Sequence, residues 1–220
     1  AAKEMEKGAL QEYEQVSIDY CVLQTIDKTI ALSNSKGLSL CHRKNGIVAN
    51  ISTIAQQNGD VKTASEDWIN NDWSTFYPQE IGRKAGQKAV SHLGAYSLES
   101  GEYRVLLENH VAAELLSAFA GIFYAENVQK GVSLLSGKLK EKIASSKITI
   151  RDDGLLKNAP GSVPFDNEGV AVKNKVIIEN GRLETFLYNL KSAAKYNTVS
   201  TGNGFKDGYK STVKTKCTNL

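Results

Sequence analysis

Turn residues divide the first third of the chain into short segments of alternating hydrophobicity, and this spacing of turns constrains the fold more than any other feature. Val16–Thr25 alternates apolar and more polar side chains, as a half-buried strand does. Further strands are expected at Thr29–Leu32, Leu38–His42, Ile47–Ile54 and Val61–Trp68. The turns between them are Asn34–Gly37, Lys44–Gly46 and Gln57–Asp60. With a short charged helix before it, this region is predicted to be an antiparallel meander.

Two helical patterns follow the meander. Proline is tolerated in a first helical turn, and apolar residues then recur every four positions, so Pro78–Leu93 is predicted to be an amphipathic helix. A compact apolar strand is expected at Tyr103–Leu107. The next helix carries apolar residues at the spacing of a buried stripe, namely Val111, Leu115, Phe119 and Ile122.

The second half of the chain has weaker strand signals. A strand is expected at Lys147–Arg151, and a hairpin is expected from Lys175–Ile178 and Leu183–Tyr188, with a short helix at Leu190–Tyr196. The predicted fold class is therefore α+β. It consists of an antiparallel meander plus helix over residues 1–98, followed over residues 99–220 by the start of a β-rich second domain with a packed helix.

Composition narrows the classes of protein to be considered. The 27 basic and 24 acidic side chains leave a formal charge of only +3, which argues against a dedicated nucleic-acid binder. The three cysteines show no Cys-x-x-Cys spacing, and an odd number favours a reduced, cytoplasmic protein. No apolar stretch approaches the roughly 20 residues of a membrane-spanning helix. The absent initiator methionine and the abrupt end suggest a piece of a longer protein.

The residues that usually bind catalytic zinc or act as nucleophiles are scattered. His42, His92 and His110 fall on different expected elements, and His110 with Glu114 supplies at most two ligands where zinc normally takes three from protein. No Gly-x-Ser-x-Gly elbow is present, and Cys21 and Cys41 are expected to be small buried side chains on strands. The sequence therefore indicates neither a self-sufficient metal site nor a nucleophile.

Two other patterns have both a chemical and a structural interpretation. In an extended segment Asp166 and Glu168 would project to the same side, where they could clamp a cation or transfer a proton. Loop capping through Asx turns is the favoured alternative. The glycine-rich segment 200–208 has neither dinucleotide nor P-loop spacing, so it is interpreted as a backbone turn.

Three short motifs follow one another in the second half of the chain: Ser133–Leu139, Pro164–Val170 and Ser200–Asn203. In this order they resemble the PmbA/TldE branch of the TldD/PmbA family. Gly101–Leu106, followed by an alanine-rich helix, is similar to the opening of that family's C-terminal domain, and the meander plus its helix is similar to the family's central segment. TldD-branch members carry a His-Glu-x-x-x-His zinc motif on this helix, whereas the corresponding segment Val111–Gly121 has no histidine pair.

The resemblance implies a catalytically silent subunit of a heterodimeric metallopeptidase that degrades or matures small unfolded peptides. Zinc is then expected in a TldD-like partner, contacted mainly through the second segment, with no cofactor in this chain. No catalytic or metal-ligand residue is assigned here, and Asp166 and Glu168 are the candidates for facing substrate. One alternative is a stand-alone peptide-binding module that uses exposed sheet edges. Another is a hydrolase that binds a hard cation through Asp152, Asp153, Asp166 and Glu168. A homodimer in isolation also remains open.

Overall fold

The computed structural model describes all residues from Ala1 to Leu220, and their contacts divide the chain into two compact units. The first unit comprises residues 1–29 and 43–103, and the second comprises residues 30–42 and 104–220. The outer part of one hairpin, Ile30–His42, therefore groups with the second unit although it lies within the 1–98 segment of the sequence prediction. None of the helices combines the length and apolar character needed to cross a membrane.

The meander is a three-stranded sheet in the order β1-β2-β3, formed by β1 (Val16–Ser33), β2 (Ser39–Gln57) and β3 (Asp60–Asn70). β2 and β3 pair antiparallel from Gln57 opposite Asp60 to Ile47 opposite Asn70. Asn58 and Gly59 both have positive φ in the turn between them, which is the conformation that Asn-Gly favours in a tight hairpin. The predicted turns at 34–37 and 57–60 are confirmed.

The prediction divides this region into five short strands, whereas the structure has three long ones. Lys44–Gly46, expected as a turn, lies inside β2, and the expected break after Thr25 lies inside β1. The two strands run side by side through these positions, and an ion pair between Asp27 and Arg43 joins them. Pairing with a neighbouring strand has overridden the local preference of Asn-Gly for a turn, because strand preference depends strongly on such context.

Two helices, α1 (Ala2–Leu10) and α2 (Pro78–Ser91), cover one face of the sheet of the first unit. α2 confirms the predicted helix to within two residues. Between helices and sheet lies a core of Met5, Ala9, Ala49, Ile51, Ile81 and Ala85. The two helix backbones touch, because a Cβ on Gly82 would overlap the carbonyl oxygen of Met5 and a Cβ on Gly8 would overlap that of Gln79.

The second unit is built from short elements around one core. Its helices are α3 (Asn109–Phe119), α4 (Ala125–Gln129) and α5 (Leu190–Lys195). β4 (Ile150–Asp153), β5 (Asn174–Glu179) and β6 (Arg182–Leu183) form an antiparallel sheet in that order, and β7 (Gly204–Phe205) pairs with β8 (Lys214–Thr215). Its core includes Phe123, Val128, Ile177, Leu183 and Leu187. Helices beside antiparallel sheets confirm the predicted α+β class, and α5 confirms the short helix expected at Leu190–Tyr196.

Three expectations for this unit are wrong. Tyr103–Leu107 is not a strand, and Leu106 is 97% exposed. α3 forms where predicted, but none of its residues is buried, and Val111, Leu115 and Phe119 are 47%, 50% and 60% exposed. Tyr103–Leu107 pairs with no strand, whereas Ile122 of the predicted stripe is partly buried against the core of this unit, as is Leu116. The strand expected at Leu183–Tyr188 is only the two-residue β6. The amide of Glu184 still donates to the carbonyl of Ile177 on β5, but Leu187 donates instead to the carbonyl of Phe123, outside the sheet.

Candidate functional site

Asp166 organises the loop that follows Pro164. Its Oδ1 accepts hydrogen bonds from the backbone amides of Glu168 (2.9 Å) and Val170 (3.0 Å), and its Oδ2 accepts from the amide of Gly204 (2.8 Å). The side chain is only 1% exposed. Amides two and four residues ahead are the donors of an Asx-type turn, so this geometry is the loop-capping alternative that the sequence favoured.

Glu168 reaches from the same loop to the start of α5. Its Oε2 accepts a hydrogen bond of 2.7 Å from the amide of Leu190, the first residue of that helix. Partial burial raises the pKa of the Glu168 carboxyl group above its ordinary value, and the nearby carboxylates of Asp166 and Glu126 raise it further. The Leu190 amide acts in the opposite direction because it stabilises the charged form. Glu168 thus anchors the loop to a helix end.

Asp152 lies at the centre of a second buried polar cluster. It is on β4 with no exposed surface, and its Oδ2 lies 3.0 Å from the Nζ of Lys175, which is 8% exposed. The amide and hydroxyl of Thr218 donate to Oδ1 at 2.6 and 2.7 Å, and the side-chain amide of Asn203 donates to Oδ2 at 2.8 Å. Every oxygen of this buried charge is therefore hydrogen-bonded, as burial of a carboxylate requires.

The glycine-rich segment connects the two polar clusters. Asn203 bonds to Asp152, and the next amide along the chain, that of Gly204, bonds to Asp166. Thr201 donates through its hydroxyl to the side-chain oxygen of Asn203, and Gly202 has a φ of 72°. The segment thus bends at Gly202, as its glycine spacing suggested, but it then continues into β7 rather than forming a turn throughout.

The four carboxylates of the cation-binding alternative are not brought together. Asp152 is paired with Lys175, Asp166 is enclosed by backbone amides, and Asp153 accepts from the amide of Leu155 and the side chain of Asn174. Residues 1–220 contain no group of three or more histidine, cysteine, aspartate or glutamate side chains placed to hold a metal ion. Contact with a substrate stays a prediction for Glu168, which is half-buried; for Asp166 it would require the loop to open.

The isolated histidine and cysteine candidates lie apart from these clusters. His110 and Glu114 lie one turn apart on α3. Cys21 is partly buried on β1, and burial raises the pKa of its thiol, which makes it a weaker nucleophile at neutral pH. Cys41 lies on β2 as expected, but its side chain is exposed rather than buried, because it projects from the face of the strand opposite to its neighbours Leu40 and His42.

Several members of the polar clusters were not predicted from the sequence. The burial of Lys175 could have been predicted from the sequence. Lys175 precedes the apolar run Val176–Ile178, and the alternation of side chains along a strand places it on the same face as the buried Ile177. A lysine at such a position needs a buried acidic partner. Thr218 and Glu126 carried no such signal, because their partners are distant in sequence and neither residue interrupts a hydrophobic pattern. Glu126 bonds to the side chain of Asn189, which caps α5.

Comparison with known proteins identifies the family. A family model described as the PmbA/TldA metallopeptidase C-terminal domain matches residues 100–220, and one described as the PmbA/TldA metallopeptidase central domain matches residues 1–93. The chain is 28% identical over 204 residues to a metalloprotease PmbA homolog of Buchnera aphidicola, a match that covers 92% of this chain and 46% of that protein.

Solved structures share the fold. A protein from Thermotoga maritima, described as a candidate modulator of a DNA gyrase, is 32% identical with a TM-score of 0.88, over 96% of this chain and 49% of that one. TldE from Thermococcus kodakarensis is 23% identical with a TM-score of 0.83, over 98% of this chain and 49% of that one. The chain thus spans about half the length of these relatives. Since the two family models together match residues 1–93 and 100–220, the chain belongs to the TldD/PmbA metallopeptidase family.

Proposed function

We propose that the protein is a PmbA/TldE-like, non-catalytic subunit of a two-component zinc peptidase in the cytoplasm. Its partner is a TldD-like protein that holds the zinc ion, and the substrates are small unfolded peptides. This chain shapes the peptide-binding chamber and positions the partner.

The composition of α3 carries this proposal. In the TldD branch the corresponding helix supplies the zinc motif, which places two imidazoles and a carboxylate close together. Here α3 offers only His110 and Glu114 as imidazole or carboxylate ligands, and apart from the amide of Asn109 the rest of the helix is aliphatic, aromatic or hydroxylated. Catalytic zinc sites normally take three protein ligands, so this donor set does not fit a zinc ion.

The polar clusters support a structural role for the motifs that characterise the chain. Asp166, Glu168 and Asn203 use their side chains to hold backbone segments together. A general acid or base needs an atom free to reach substrate, and the atoms of Asp166 and Asn203 are already hydrogen-bonded within the protein. These motifs therefore suit a scaffold for a chamber better than a reaction centre.

Metal analysis and peptide cleavage test the proposal together. The full-length protein and its TldD-like partner are purified separately and as a co-expressed complex, and zinc content and cleavage of an unstructured peptide are measured for each. We expect the two proteins to associate, zinc to follow the partner, and cleavage by the complex to exceed that by the partner alone.

A substituted chain provides the matched control. Replacing His110 by alanine and Glu114 by glutamine removes both possible ligands on α3 and should change neither the zinc content nor the cleavage rate of the complex. Tightly bound zinc at one equivalent in this protein alone would contradict the proposal. So would a failure of the two proteins to associate.

A stand-alone peptide-binding module is the second candidate. The observation in its favour is that β3 is an edge strand of eleven residues that pairs with β2 and with no other strand. An extended peptide can add to such an edge through backbone hydrogen bonds. Titration of the protein with a labelled unstructured peptide, in the absence of any partner, distinguishes the two functions, because only the module binds saturably on its own.

A further inference from the structure

The outer part of the β1–β2 hairpin lies against the loop that carries Asp166 and Glu168. Gly169 is so close to the hairpin that a Cβ atom there would be 2.5 Å from Cδ2 of Leu38 and 3.2 Å from Cδ2 of Leu32. The rings of His42 and Phe165 meet edge to face, with centroids 6.5 Å apart. The hairpin therefore contacts the loop at two points, one on each side of Asp166.

The burial pattern shows that one face of the hairpin makes this contact. Ile30, Leu32, Leu38, Leu40 and His42 are all half-buried. The residues between them, which include Ala31, Ser39 and Cys41, are exposed. Because successive side chains of a strand point to opposite faces, the hairpin presents an apolar face to the loop and a polar face to water.

The loop has its own attachments to the rest of the second unit. Asp166 accepts from the amide of Gly204, and Glu168 accepts from the amide of Leu190. The loop thus lies between a set of hydrogen bonds and an apolar cover. Water that reached these carboxylates would compete with the amides as a hydrogen-bond partner. Exclusion of water therefore strengthens the bonds between the carboxylates and the amides, because a hydrogen bond is stronger in a buried environment.

We infer that the hairpin segment Ile30–His42 is a clasp that holds the Pro164–Val170 loop closed. Its leucines exclude water from the loop, and the hydrogen bonds of Asp166 and Glu168 depend on that exclusion. When the clasp lifts, the loop opens locally, the buried carboxylate of Asp166 becomes accessible, and the half-buried carboxylate of Glu168 becomes more exposed. The clasp thereby controls whether Asp166 can contact a ligand, whichever function the protein performs.

Amide hydrogen exchange of the full protein tests this inference. Four amides report on the loop because they donate to its two carboxylates: those of Glu168, Val170, Gly204 and Leu190. In Leu38→Ser we expect these amides to exchange about tenfold faster or more, because exchange follows local opening, while the β2–β3 ladder keeps its protection. Leu38→Ala serves if the serine variant does not fold.

Two substitutions give matched controls. Cys41→Ser changes a residue three positions away on the opposite face of the same hairpin, and Leu38→Met keeps the apolar contact, so both should leave the four amides protected. Unchanged exchange of these amides in folded Leu38→Ser or Leu38→Ala would overturn the inference. Equal acceleration of every amide in the second unit would also overturn it, because it would indicate general destabilisation rather than release of a clasp.

Discussion

Replacement of Lys175 by methionine tests whether the buried polar cluster around Asp152 stabilises the second unit. The ammonium group of Lys175 lies 3.0 Å from Oδ2 of Asp152, and neither side chain is more than 8% exposed. Methionine keeps most of the length and apolar volume of lysine, so little packing is lost. The substitution therefore leaves the Asp152 carboxylate buried without its counter-charge.

The expected loss can be estimated from the remaining partners of Asp152. Removal of one member of a buried ion pair costs about 3–5 kcal/mol in general. Asp152 would still accept from the amide and hydroxyl of Thr218 and from Asn203, so we expect about 3 kcal/mol, at the lower end of that range. Adding Asp152→Asn removes the stranded charge, and the double variant should lose about 1–3 kcal/mol less than the sum of the single variants.

Urea unfolding at neutral pH can measure this loss separately for each unit. Both tryptophans, Trp68 and Trp73, lie in the first unit, so their fluorescence reports on that unit alone, whereas far-ultraviolet circular dichroism reports on both. We expect Lys175→Met to move the circular dichroism transition to lower urea and to leave the tryptophan transition in place. Lys173→Met is the matched control, since Lys173 is exposed two residues earlier on the same segment.

Two results would refute this reasoning. One is a loss of less than about 1 kcal/mol in Lys175→Met, which is no more than an exposed ion pair contributes. The other is an equal loss in the Lys173→Met control. Either result would mean that the ion pair does not stabilise the second unit as its burial requires.

Three further predictions concern single substitutions. The pKa of Glu168 is raised in the folded protein, so the stability it contributes is present below pH 4.5 and lost as pH rises through the folded-state pKa. The unfolding free energy of Glu168→Gln minus that of the wild type, measured by urea unfolding, should therefore increase between pH 4.5 and pH 7.5. A difference that does not change with pH would contradict the pKa shift. Gly82→Ala should destabilise the first unit by about 3 kcal/mol or more, read from tryptophan fluorescence, because the new methyl group would overlap the Met5 carbonyl. Leu115→Ser on exposed α3 should reduce binding of the dye ANS and change the unfolding free energy by less than about 0.5 kcal/mol, whereas a larger loss would mean that this side chain is buried.

Elements whose signals are local were predictable from the sequence. α2 has a proline at its start and an apolar stripe that the sheet of the first unit buries, so its periodicity was sufficient. The turn at Asn58–Gly59 has the backbone conformation that Asn-Gly favours. The same dipeptide at Asn45–Gly46 lies within β2, because pairing with β1 outweighs a turn preference there. The local sequence indicates where a turn can form, and pairing with another strand determines whether it does.

Of the candidate site, the local part was predictable and the distant part was not. An aspartate followed after two residues by glutamate in a proline- and glycine-bounded loop indicates an Asx turn, and Asp166 makes one. The hydrogen bonds that Asp166 accepts from Gly204 and Asp152 accepts from Thr218 join residues 38 and 66 positions apart. No periodicity or spacing in a single sequence connects such pairs.

The contact between α1 and α2 limits which amino-acid substitutions the chain can accept during evolution. At Gly8 and Gly82 the neighbouring carbonyls occupy the space where a side chain would begin, so main chain meets main chain across the interface. Exchanging other residues of α1 or α2 can tune stability, but these two glycines admit no substitute while the helices stay at this separation, and a mutational scan should find them the least replaceable positions of both helices.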